Sequence, residues 1–100
     1  MGKLVRDRIP EVIRANGEDP VVRVLSEDAF PGALLDKAVE EALELRAATG
    51  AEERLAEAAD VYEVLVAVAR LCGTTIEEVA HRADRKRAER GGFDGRVWLE

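Results

Sequence analysis

The chain has 100 residues, of which 47% are hydrophobic and 36% charged, with a net charge of -6. That is the size and balance of one folded domain, and a net acidic chain lacks the broad basic face that nucleic acid or an anionic membrane requires. A single cysteine, Cys72, excludes an intrachain disulfide, and no Cys/His spacing offers a zinc site.

From the N-terminus, Met-Gly-Lys-Leu-Val-Arg-Asp carries no apolar leader, and no run is long enough to span a bilayer, so the expected compartment is the cytoplasm. A short helix is expected over Arg8 to Ala15, with Pro10 in its first turn and Asn16-Gly17 as its stop. Val21, Val22, Val24 and Leu25 favour β structure and end at Ser26, a helix cap. The segment Arg96 to Glu100 is similar in character, which allows a short terminal β-pair.

Three longer helices follow. The first is expected from about Ala33 to Ala48, ending at Thr49-Gly50, with Pro31-Gly32 a turn or kink before it. The second runs from about Ala51 to Cys72, with Gly73 as its stop. Thr75 and Glu78 have the spacing of a capping box and open a third, which ends at Gly91-Gly92. The fold class is therefore all-α, a helical bundle in one domain over residues 1–100. With so short a chain, much surface stays exposed unless copies associate, and a homodimer or higher homo-oligomer is expected.

Acidic pairs three apart are no commoner here than chance allows, so only their position on the helix faces is informative. Glu57 heads the row Val61, Val64, Val68, and Asp60 heads the row Val64, Ala67, Leu71. In the preceding helix Glu41 interrupts the row Leu34, Ala38, Leu45, with Glu44 on its border and Glu40 further round beside Lys37. An antiparallel hairpin through Gly50 would let Glu41, Glu44, Glu57 and Asp60 meet. Oxygen donors without His or Cys suit Mg²⁺, or Mn²⁺, and magnesium commonly shares its coordination with substrate phosphate.

The last helix turns cationic at its C-terminal end, where the row Val79, Ala83 continues into Lys86 and Arg90. Those cations suit a polyphosphate, but spacing alone fits equally an interhelical salt-bridge layer that binds nothing. His81 reads as a surface residue, Cys72 and Tyr62 as core, and Phe93 and Trp98 as packing a terminus onto the bundle. Gly-Gly-Phe-Asp-Gly at 91–95 follows a helix and has no strand before it, so it is not a phosphate-binding glycine loop.

The pattern E-E-x-x-E at Glu40, Glu41 and Glu44, followed by E-x-x-D at Glu57 and Asp60, resembles the metal-binding signature of the all-α nucleoside triphosphate pyrophosphohydrolases. That superfamily includes MazG-like proteins, phosphoribosyl-ATP pyrophosphohydrolase and dimeric dUTPases. The flanking KLVRDRIPEVI and RGGFDGRVWLE look like the small MazG-related group regarded as house-cleaning enzymes for non-standard nucleotides.

The resemblance implies an oligomeric helical fold with magnesium on Glu41, Glu44, Glu57 and Asp60. It implies hydrolysis between the α and β phosphates to a monophosphate and pyrophosphate, with Glu40 or Glu41 as the base toward the attacking water. Lys86 and Arg90 resemble the family's basic pair for phosphate, and Lys3 and Arg6 belong to the opening signature on the substrate side. The chain departs from the pattern at Asp84, where many MazG-like proteins carry Asn. Phosphoribosyl-ATP as substrate, and a non-catalytic helical module, are the alternatives.

Overall fold

The computed structural model describes residues 2–100 and is all-α, with four helices. The chain divides into two compact units, Met1–Val64 and Leu65–Glu100, the boundary falling inside the third helix. No described helix is long and apolar enough to cross a membrane.

In the first unit the N-terminal segment leads through a turn into α1, Ile9–Ala15. Pro10 sits in its first turn, where a missing N–H breaks no intrahelical bond, and Asn16 closes the helix through its backbone N–H. A second turn follows the coil at 18–26. There the Ser26 hydroxyl accepts a hydrogen bond from the Ala29 N–H at 3.2 Å, and the Ser26 carbonyl accepts one from Phe30 N–H at 3.1 Å. This turn launches α2, Phe30–Ala47, three residues ahead of the expected Ala33. Pro31 and Gly32 are therefore part of the helix, because proline is accommodated in a first turn whose N–H groups have no carbonyl to reach.

Two residues, Ala48 and Thr49, join α2 to α3, Gly50–Leu71. Ala48 is extended and Gly50 has φ 77°, a backbone region that a side chain would strain. Glu53 secures the joint by accepting hydrogen bonds from the Thr49 N–H at 2.8 Å and the Thr49 hydroxyl at 3.0 Å. Leu34 and Val64 are the buried apolar side chains among the described residues of this unit, and Glu41, a charged residue, is buried as well.

The second unit holds the end of α3, with Ala69 buried, and α4, Ile76–Arg90. Thr75 caps α4, its hydroxyl accepting from Glu78 N–H at 3.3 Å. Glu78 does not complete the capping box. Its carboxylate instead takes Arg82 at 2.9 Å. Gly91, at φ 82°, ends the helix and donates its N–H to the Arg87 carbonyl.

Several expectations are corrected. No strand forms among the described residues, so the terminal β-pair is absent: Val21, Val22, Val24, Val97, Trp98 and Leu99 are all exposed. β-propensity expresses packing on a pleated surface, and an extended segment without a ladder partner stays irregular. Tyr62, Phe93 and Trp98 are exposed rather than packed, and Cys72 is an exposed thiol. His81 is on the surface, as its flank position on the helix predicted.

Candidate metal centre

The α2–α3 hairpin determines which acids can meet. Counting outward from the two-residue joint, Glu41 on α2 and Glu57 on α3 stand at nearly equal distances, and Glu44 lies one turn from Glu41 on the same face. Carboxylate oxygens of Glu41, Glu44 and Glu57 all lie within 4.8 Å of one another. Glu41 is only 7% exposed, and its Oε2 and the Oε2 of Glu57 are buried without any hydrogen-bond partner.

Such an arrangement is costly as it stands. A buried carboxylate oxygen with no donor forfeits its hydration, and three acids at this spacing repel one another. Glu44 shows the strain: sharing a hydrogen bond with Glu41, and the charge of that neighbour, raise its pKa above the ordinary 4.5. Glu57 and Glu40 add to the effect from further off.

Cations of the same unit ring the cluster. The Lys37 ammonium is 3.2 Å from Glu41 Oε1 and 3.5 Å from Glu40 Oε1. Burial by itself would depress the Lys37 pKa, but the hydrogen bond to Glu41 and the charges of Glu40 and Glu41 outweigh it, and the net shift is upward from 10.5. Lys3 approaches Glu40 at 3.6 Å. Sequence reading placed Lys37 with Glu40 at the solvated edge; its i,i+4 spacing to Glu41 was the signal that it belongs to the centre.

Asp60 is placed differently from its three companions. Arg6 Nη2 donates to Asp60 Oδ1 at 2.6 Å, joining the N-terminal segment to α3. Lys86 and Arg90 are exposed on α4 in the second unit, and no ion pair among the described residues includes them. Their neighbours Arg87 and Asp84 pair with each other at 3.0 Å.

The donor set fits a hard divalent cation. All three groups are carboxylates, no His or Cys intervenes, and two oxygens bound to one magnesium lie roughly 3–4 Å apart, which small side-chain rotations would reach. The two orphaned oxygens are the groups such an ion would satisfy.

No family model matches this sequence, and no solved structure matches it. Among curated proteins, a stretch of 48 residues is 60% identical to an uncharacterized protein of Mycolicibacterium smegmatis. The match covers 48% of this chain and 49% of that protein, so the chain spans about half the length of the relative it matches.

Proposed function

We propose that this protein is a magnesium-dependent nucleoside triphosphate pyrophosphohydrolase that cleaves between the α and β phosphates and acts on non-standard nucleotides. The observation that carries the reading is the pair of buried, unpartnered oxygens of Glu41 and Glu57 converging with Glu44. A helical protein has little reason to hold three acids together around unsatisfied oxygens unless a cation completes them.

Glu41, Glu44 and Glu57 would hold the ion, magnesium first and manganese second. When bound, it supplies charge neutralisation and Lewis acidity toward phosphate oxygen. Glu40 stands next to the trio without belonging to it, held by Lys37 and Lys3, and accepts the proton of the attacking water. The water oxygen bonds to the α phosphorus as the bond to the bridging oxygen breaks, leaving nucleoside monophosphate and pyrophosphate. A homo-oligomer fits the many exposed apolar side chains, Leu35, Val39, Leu43 and Leu55 among them.

The test is product analysis with magnesium, a panel of standard and modified nucleoside triphosphates, and phosphoribosyl-ATP. Monophosphate and pyrophosphate from the wild type but not from Glu57→Gln is the expected result. Product from phosphoribosyl-ATP alone would transfer the assignment to that substrate. A second reading, a non-catalytic helical module, draws on the ion pairs Arg6–Asp60 and Lys37–Glu41, which tie the unit together without any ligand. No product, with a melting temperature indifferent to magnesium, would establish it in place of the first.

A further inference from the structure

We propose that Lys37 determines which divalent ion the carboxylate centre takes: by holding one oxygen of Glu41 it limits that acid to its other oxygen as a metal donor, and so selects magnesium over calcium. The inference rests on the metal-centre reading and deepens it, since it concerns the ion preference of the same site.

Within the trio Glu41 is buried, Glu57 half-buried and Glu44 exposed. An exposed carboxylate can turn to suit whichever ion arrives, whereas a buried one offers only what its packed neighbours leave free. Lys37 leaves Glu41 half of its donor capacity. The ammonium lies 3.2 Å from Oε1, while Oε2 is buried with no partner. The lysine is itself held in place: it stands one turn before Glu41 on α2, its side chain is only 16% exposed, and Glu40 Oε1 meets the same ammonium at 3.5 Å. Glu40 thus retains Lys37 against the repulsion of an incoming cation.

The two hard cations differ in what they require. Calcium gathers about 6–8 oxygens in flexible geometry and commonly takes both oxygens of a carboxylate, while magnesium is octahedral, keeps several waters and takes single oxygens from a few acids. Three acids that each offer one oxygen leave magnesium with room for water and phosphate, and leave calcium short of protein donors. Without Lys37, Glu41 could present both oxygens, and the deficit of calcium would narrow.

Removing the lysine charge also draws any cation more strongly to the site. Magnesium and calcium carry the same charge, however, so that gain cancels in the ratio of their affinities. The ratio separates an effect on coordination from an effect of charge.

The experiment measures the magnesium and calcium midpoints of the rise in melting temperature for wild type, Lys37→Met, Lys37→Ala and Lys37→Arg, with far-UV circular dichroism as the check on folding. Lys37→Ala admits water to Glu41 in place of the ammonium and so keeps the comparison available if Lys37→Met does not fold.

Wild type should respond to magnesium at lower concentration than to calcium. Lys37→Met and Lys37→Ala should shift the ratio of the two midpoints about tenfold toward calcium, the scale of one added charge-assisted contact. Lys37→Arg, which returns charged donors to Oε1, should restore most of the preference. Equal shifts in both midpoints, with the ratio unchanged, would overturn the inference and leave the metal centre standing with Lys37 as a neighbouring charge only. A wild type that prefers calcium would overturn it as well. A wild type indifferent to both ions would instead remove the metal-centre reading itself, and this inference with it.

Discussion

Lys37 stands one helical turn before Glu41, and its ammonium lies 3.2 Å from Glu41 Oε1 while Oε2 of the same carboxylate has no partner. One lysine therefore compensates a buried acid on one side only. A carboxylate oxygen of Glu41 also lies within 4.8 Å of oxygens of Glu44 and Glu57, which are themselves acids. The stability of this unit should accordingly depend on whatever cation reaches that side.

Removing Lys37 tests the compensated side. Lys37→Met leaves the buried Glu41 without its cation and should destabilise the protein by about 2 kcal/mol, below the roughly 3–5 kcal/mol of a fully buried pair because the Lys37 side chain keeps 16% of its exposure. Chemical denaturation measures the loss. The double variant Lys37→Met/Glu41→Gln should lose less than Lys37→Met alone, since no buried charge is then stranded.

Magnesium tests the open side. An ion bound only by the folded protein raises the melting temperature by mass action, and the rise should grow with the logarithm of magnesium concentration beyond the dissociation constant. Glu41→Gln and Glu57→Gln should each weaken the response at least tenfold in magnesium midpoint. A response of unchanged midpoint in either variant would exclude that residue as a ligand.

The pH dependence follows from Glu44. Its pKa is raised above 4.5 in the folded state by Glu41, so between 4.5 and the folded value the native protein binds more protons than the unfolded chain. Stability contributed by this group therefore falls as pH rises through that window, and the penalty is complete above it. In a chelating buffer Glu44→Gln should melt close to wild type at about pH 4 and above wild type by about pH 7. Saturating magnesium should reverse the order at neutral pH, because the ion uses the ionised carboxylate.

Glu53 provides the opposite sign in the same scan. The backbone N–H and hydroxyl of Thr49 hold its pKa below 4.5, so its contribution is present above 4.5 and is lost as pH falls through the folded value. Glu53→Gln should thus be less stable than wild type at neutral pH and converge with it in acid. Thermal melts across the same buffers distinguish the two residues.

The cap of α4 is a local test free of the metal centre. Thr75→Ala removes the acceptor for Glu78 N–H and should cost about 1 kcal/mol, whereas Thr75→Asp should retain most of the stability. Urea denaturation reads both, and neither variant should alter the magnesium midpoint.

Much of the helical architecture was legible in the sequence, because helix limits are encoded by neighbours: Asn16-Gly17, Gly73, Thr75 and Gly91 act through their own backbone and caps. The hairpin joint at Gly50 and the i,i+3 and i,i+4 spacings likewise marked Glu41, Glu44 and Glu57 as side chains of two facing rows. Pro31 misled, since the residue that normally stops a helix is equally at home in a first turn, and the turn at Ser26 decided between the two. Only the tertiary structure placed Asp60 with Arg6, a partner 54 residues away, and only it exposed Val21, Val24 and Trp98 instead of pairing them. The periodicity of a helix says which face a carboxylate occupies; whether an arginine, a lysine or nothing meets it there depends on long-range contacts that leave no local pattern.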